Sequence, residues 1–266
     1  MRPSSRIASD EVKSLRRIIL QMVHSAKEGH IPSAFSIVDI LYVLYRDCLK
    51  YDPANPKCAE RDCFVLSKGH AGAALYATLA HFGFFSGEDL KHYCTQGSKF
   101  GGHPDALKAP GVEVSSGSLG HGIAMAVGMA MAMRLEKSSR KVVALVGDGE
   151  MDEGSFWESV MLARNLGLDN LIVIADCNGS QKYSYPYDYA KILKSFDWAA
   201  SEVNGHDLDA LSQLLTPLVR EPTAGPQFVV AHTEKGHGVA RFVGEHGWHR
   251  RTPTDNEMIE LMRELA

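Results

Sequence analysis

Apolar positions recur along the chain with two periods, and the alternation between them sets out the elements. Val12, Leu15, Ile18, Ile19, Met22, Val23 and Ala26 repeat at helical spacing behind Ser9, so residues 10–27 predict an amphipathic helix that Gly29 stops. Residues 36–49 predict a second, more buried helix. Cys63 to Leu66 reads as a short buried strand that breaks into a loop at Ser67, and a helix from Ala71 to His81 follows, ended by Gly83. The run "SLGHGIAMAVGMAMAMRLEK" is apolar nearly all round and rich in small residues, which predicts a central helix packed closely by neighbours. "KVVALVGDG", "NLIVIADCNG" and "QFVVAHTEKG" are apolar runs of strand length. A helix over 155–166 with Gly167 as its stop separates the first two. Thr254-Asp255-Asn256-Glu257 is a capping box that opens a last helix. Between these elements, residues 94–117 carry glycines and prolines with little periodicity. A loop that long inside a compact domain is usually functional.

Short apolar strands alternating with helices give an α/β fold, a mainly parallel sheet covered by helices on both faces. No linker-like break and no internal repeat divides the chain, so residues 1–266 read as one domain. Its composition, 45% hydrophobic and 23% charged, is that of a globular protein. The formal net charge of −4, with basic residues scattered, offers no field for nucleic acid or an anionic membrane. No run of apolar residues is long enough to span a bilayer, and the first ten residues hold no apolar signal core. Five cysteines at irregular spacing argue against a disulfide framework and for the reducing cytoplasm. Cys58 and Cys63 lack the second pair that a structural zinc site needs.

Two of the apolar runs stop at a polar group beside glycine: Asp148 in Gly147-Asp148-Gly149, and Asn178 in Cys177-Asn178-Gly179. In a strand–helix–strand crossover both strand ends lie on one edge of the sheet, where ligands of open α/β sheets bind. A carboxylate, an amide oxygen and one backbone carbonyl suit Mg²⁺, which completes its shell with phosphate and water. The helix starting near Gly154 would add amide donors and a positive dipole end. A plain strand-to-helix turn is the alternative, and no GxGxxG pattern supports dinucleotide binding. His30, His70 and His103 each adjoin glycine at a break between elements, where rings are exposed for chemistry. His24, His81, His92, His206 and His232 read as surface or satisfied core histidines.

The run "GDGEMDEGSFWESVMLARNLGLDNLIVIADCNG" resembles the thiamine diphosphate motif in the form found in transketolases. "EGHIPSAFSIVDILYVLY", "DCFVLSKGHAGAALYA", "GGHPD…PGVEVSSGSLGHGI", "VNGHDLDAL" and "KGHGVARFVGEHGWH" resemble further segments of that family in the same order. The resemblance implies thiamine diphosphate and Mg²⁺ as cofactors, with Ca²⁺ or Mn²⁺ able to substitute. It implies that Asp148 and Asn178 ligate the metal by side chain and Ser180 by its carbonyl. Gly149 would approach the diphosphate, with Glu150 in the same cofactor-binding set. Gly117 and Leu119 would contact the aminopyrimidine. His70 and His249 would lie near the diphosphate and the reacting carbons. His30 and His103 would bind substrate hydroxyls and assist proton transfer, and His103 favours a hydroxyketone donor. Glu153 would belong to the acidic network at a subunit interface. The implied activity is transfer of a two-carbon ketol unit from a ketose phosphate to an aldehyde.

The family's pyrimidine-binding and C-terminal domains have no counterpart in these segments. The resemblance therefore implies a partner, a transketolase C-terminal subunit, in an α2β2 heterotetramer. Two other readings stand beside it: half of an enzyme delivering a two-carbon unit to a lipoyl or acyl carrier, and a non-catalytic binding or regulatory subunit. Departures from the family pattern at Ile31 to Phe35, His121, Cys177, "SQKYSY" and "WHRRTP" leave the acceptor open.

Overall fold

The computed structural model describes residues 5–180 and 187–266. Five parallel strands form its centre: β1 (Cys63–Leu66), β2 (Val142–Gly147), β3 (Leu171–Cys177), β4 (Ala199–Asn204) and β5 (Gln227–His232), in the order β1-β2-β3-β5-β4. Both faces of the sheet are buried, so side chains of alternate residues enter two separate cores. Val143, Leu145, Ile172, Ile174, Val229 and Ala231 face one side. There they meet α1 (Ser5–Ala26), α2 (Ile31–Phe35), α3 (Val38–Val43) and α4 (Gly72–His81). Later helices α8 (Leu208–Arg220) and α9 (Asp255–Glu264) complete that layer. Val142, Ala144, Val146, Val173, Ala175, Phe228 and Val230 face the other side, against α5 (His121–Leu135), α6 (Gly154–Leu166) and α7 (Tyr189–Ser195).

The strands read from the apolar runs are present, and Cys63–Leu66 has the expected bounds. Gly167 stops α6 in the left-handed conformation, at φ +59°, where glycine carries no steric cost. Thr254 and Glu257 cap α9 reciprocally. Residues 94–117 contain no helix or strand.

Three expectations need correction, and one strand escaped the sequence pattern. The first helix begins at Ser5, so Ser9 lies within α1 instead of capping it. The helix placed at 36–49 starts at Ile31, with Pro32 in its first turn, where a missing N–H costs nothing. It is broken at Ser36–Ile37, where Ser36 sends its hydroxyl to Asp176, and it closes in a π turn over Leu44–Cys48. The fifth strand, β4, escapes the apolar pattern because it is a short edge strand, Ala-Ala-Ser-Glu-Val-Asn, in which Val203 alone is buried. Finally, α5 is not enclosed: Met131 is 41% and Leu135 74% exposed.

The parallel register brings β2 and β3 to a common edge. Gly147 pairs with Asp176, and Asp148 N–H donates to the Asp176 carbonyl at 3.1 Å.

Candidate active site

The carboxyl ends of β1, β2 and β3 open into a cavity of about 350 Å³. Its walls bring together ten residues singled out in the sequence: His30, His70, His249, Gly117, Leu119, Asp148, Gly149, Glu150, Asn178 and Ser180. Lys68 and Gly147 complete the lining.

The oxygens at the two strand ends converge. Ser180 N–H donates both to Asp148 Oδ2 at 2.9 Å and to Asn178 Oδ1 at 3.1 Å, and Ser180 Oγ also bonds to Asn178 Oδ1. Two hard oxygens close enough to share one N–H are close enough to share a small divalent cation. Burial, with Asp176 beside it, pushes the Asp148 carboxyl up from its ordinary value. A cation at this point would offset both effects. The residues present therefore fit a metal-bound diphosphate.

Glu150 carries a structural load as well as its place in the lining. It lines the cavity, but its buried carboxylate accepts from Ser67 Oγ, from Gly120 N–H at 2.8 Å and from Gly147 N–H at 3.2 Å. It braces the ends of β1 and β2 against the start of α5. Gly122 fits this junction closely, since a Cβ there would sit 2.5 Å from Ser67 Cα.

Three imidazoles cluster at the cavity. The His30 ring lies 5.3 Å from His70 and 5.2 Å from His249, centre to centre, and His70 lies 6.0 Å from His249. Burial, then the charge on Lys68, holds His70 down at about 2. Burial, then His249, holds His30 at about 4. Both rings are neutral near pH 7, so each can donate one hydrogen bond and accept another.

His103 stands on the rim, outside the lining. Its exposed ring packs against Gly117, where a Cβ would come within 3.2 Å of His103 Cδ2. Tyr76 Oη donates to the His103 carbonyl at 2.9 Å. His103 also borders an open groove formed by the 94–108 loop. Glu153 is not brought to the cavity. It lies exposed at the N-cap of α6. His121 is likewise exposed, with Nδ1 3.1 Å from the Leu119 carbonyl. Cys177 packs against the second core, and burial pushes its thiol up. Residues 181–185 of the divergent "SQKYSY" segment lie outside the described residues.

Sequence reasoning missed three charged groups. Lys68 is buried and bonds to Asp176 and to the Ser33 carbonyl at 3.2 Å. Asp176 is fully buried. Lys235 is half-buried, and burial together with Lys68 lowers its pKa while Asp148 and Asp176 raise it. The signal was an acid inside the apolar run "LIVIADC", since a buried charge must have a partner. Among the described residues, one group has the spacing of a His/carboxylate metal site: Asp39, His206 and His237. Its ligand atoms are already engaged. Asp39 pairs with Arg16 and lies 2.8 Å from His206 Nδ1, while His206 Nε2 accepts from Glu234 N–H at 2.8 Å. This group ties down the turn that carries Lys235, and His206 is the satisfied core histidine expected of it.

The model of the transketolase thiamine diphosphate binding domain matches residues 7–266. The chain belongs to the transketolase family. Its cofactors are accordingly thiamine diphosphate and a divalent metal ion, and it is a transferase component. The chain is 37% identical to one of the subunits of apulose-4-phosphate transketolase from Phocaeicola vulgatus, over 94% of its own length and 91% of the relative's. It is 33% identical to a 6-deoxy-6-sulfo-D-fructose transketolase subunit of Clostridium sp., covering 94% and 93%. Against one-chain transketolases it spans less than half the relative. Human transketolase is 34% identical over 96% of this chain and 41% of its own. The crystal structure of Campylobacter jejuni transketolase superposes with a TM-score of 0.91 at 32% identity, covering 98% of this chain and 43% of that one. No described helix is long and apolar enough to cross a membrane.

Proposed function

We propose that this chain is the diphosphate-binding subunit of a two-chain transketolase that moves a two-carbon ketol unit from a ketose phosphate to an aldehyde in the cytoplasm. The observation that carries the proposal is the convergence of Asp148 Oδ2 and Asn178 Oδ1 at the edge of a parallel sheet, beside neutral His30 and His70. Asp148, Asn178 and the Ser180 carbonyl would hold Mg²⁺. Gly149 lets the backbone approach the diphosphate, and Gly117 and Leu119 take the aminopyrimidine. Bound thiamine diphosphate supplies the electron sink that lets a carbon–carbon bond beside a carbonyl break and re-form.

The chain's own groups bind and orient. Neutral His30 offers a donor and an acceptor to substrate hydroxyls, His70 stays uncharged beside the diphosphate, and His249 lies near the diphosphate and the reacting carbons. His103 reaches the donor's terminal hydroxyl from the rim. Full-length similarity to relatives that are themselves named as transketolase subunits supports a partner chain carrying the pyrimidine-binding domain, with Glu153 facing it in an α2β2 assembly. The donor is a specialised ketose, in keeping with relatives named for apulose 4-phosphate and 6-deoxy-6-sulfo-D-fructose.

The test is co-expression with the partner chain, followed by equilibrium dialysis against thiamine diphosphate with and without Mg²⁺. Ketol transfer from xylulose 5-phosphate and from the two named sugars is then assayed. The expected result is Mg²⁺-dependent cofactor binding and transfer by the complex but not by this chain alone. A complex that binds no thiamine diphosphate overturns the proposal.

A further inference from the structure

Asp176 lies at the end of β3 with no exposed surface, and four side chains reach its carboxylate. The Lys68 ammonium and the Thr233 hydroxyl bond to it, Ser36 Oγ donates at 2.8 Å, and Asn178 Nδ2 donates at 2.7 Å. The four donors come from four segments: the end of β1 and the end of β3, which line the cavity, and the turns after α2 and after β5.

An ionised carboxylate accepts hydrogen bonds and cannot donate them. It therefore holds the Asn178 amide with its NH₂ turned inward and Oδ1 turned toward Asp148 and Ser180. Ser180 confirms that orientation from the other side, since its N–H and hydroxyl both donate to Oδ1. An amide turned over would present N–H groups to a cation and an oxygen to a carboxylate, which is unfavourable at both ends.

We propose that Asp176, with Lys68 neutralising it, is the positioning residue that makes Asn178 an oxygen ligand of the metal. The inference rests on the reading of Asp148 and Asn178 as metal ligands. It concerns a group that does not touch the metal itself. Partners behind a metal ligand commonly change affinity by about 10- to 100-fold when removed.

The experiment measures Mn²⁺ binding by electron paramagnetic resonance of the free ion, on the full chain with its partner at fixed thiamine diphosphate. Asn178→Asp supplies a charged oxygen, so an account without Asp176 expects equal or tighter Mn²⁺ binding. With Asp176 behind it, two carboxylates face each other across a hydrogen-bond distance, and binding should weaken by about 10- to 100-fold. The exchange Asp176→Asn with Asn178→Asp restores one amide donating to one carboxylate, and it should recover most of the loss. That recovery would not follow from a merely structural role. The isosteric single change Asp176→Asn gives an independent measure. It should weaken Mn²⁺ binding without weakening inorganic pyrophosphate binding measured with no metal present. Wild-type affinity in Asn178→Asp, or in Asp176→Asn, overturns the proposal, as does a folded double variant with no recovery. If the wild-type complex itself takes up no Mn²⁺ with thiamine diphosphate, the ligand assignment has failed instead.

Discussion

Neutral histidines beside a buried carboxylate make the site's residues sensitive to acid in a predictable direction. His70 binds its proton near pH 2 in the folded chain and at about 6.5 when unfolded. Above pH 6.5 neither state holds the proton, and the contribution is constant. Below it the unfolded chain takes up a proton that the folded chain refuses, so stability declines as pH falls. The window closes near pH 4 for His30 and near 2 for His70. The difference in melting temperature between wild type and His70→Asn should therefore fall steadily from pH 6.5 to 4.5, and a constant difference counts against neutral burial. Asp148 behaves in the opposite sense, because burial raises its pKa in the metal-free chain. Asp148→Ala should abolish Mg²⁺-dependent thiamine diphosphate binding in dialysis while leaving the metal-free melting temperature equal or higher, since it removes a poorly placed charge. Unchanged cofactor affinity would remove Asp148 from the ligand set. Asp148, Asn178 and three of the histidines were legible because glycine or a strand end marks each one locally. Lys68 and Asp176 were not, because their pairing joins positions 108 apart in sequence and exists only once β1 and β3 share a sheet.

At the level of elements, the junction of α5 with the sheet edge leaves no spare room. Gly122 starts the helix directly against Ser67, and Ser67 is the hydroxyl that Glu150 accepts from. Gly122→Ala must push α5 away from the end of β1. Overpacking of this kind costs about 1–3 kcal/mol, to be read from urea denaturation of the isolated chain. The same shift should lower cofactor affinity, because Leu119 and Gly120 precede the helix. A wild-type denaturation midpoint would show that the junction yields. This packing also explains which elements could be read in advance. β2, β3 and β5 are central, buried on both faces and apolar along most of their length, so their pattern is explicit. β4 carries Glu202 and Asn204 on an edge, and its place is set by pairing with β5 instead of by its own composition. The break between α2 and α3 lies where Ser36 turns to Asp176, a tertiary contact that helical periodicity does not encode.

For the whole molecule, the stripe that α5 and α6 leave uncovered connects the fold to assembly. Helix α5 was expected to be enclosed because it is apolar nearly all round, yet this chain covers one side of it. Ala124, Gly128, Met131 and Leu135 line its outer face at helical spacing, and Met161 and Leu162 of α6, the helix packed against it, are 43% and 49% exposed. Contiguous exposed apolar surface of this kind marks an interface. Helix α5 begins at the cavity, just after Leu119, and α6 packs against it, so a chain that closes the cavity from that side must also cross the stripe. The pyrimidine-binding partner is that chain in the proposed assembly. Met131→Glu combined with Leu162→Glu places two charges where they would be buried on association but remain solvated in the free protein. The isolated variant should therefore keep its circular dichroism spectrum, while its affinity for the partner falls by about tenfold or more. Light scattering after size exclusion should show separate chains at concentrations where the wild-type pair stays together, with thiamine diphosphate retention falling in parallel. If the variant elutes with its partner in wild-type proportion, the stripe lies outside the interface, and the cavity must be closed from the His103 side.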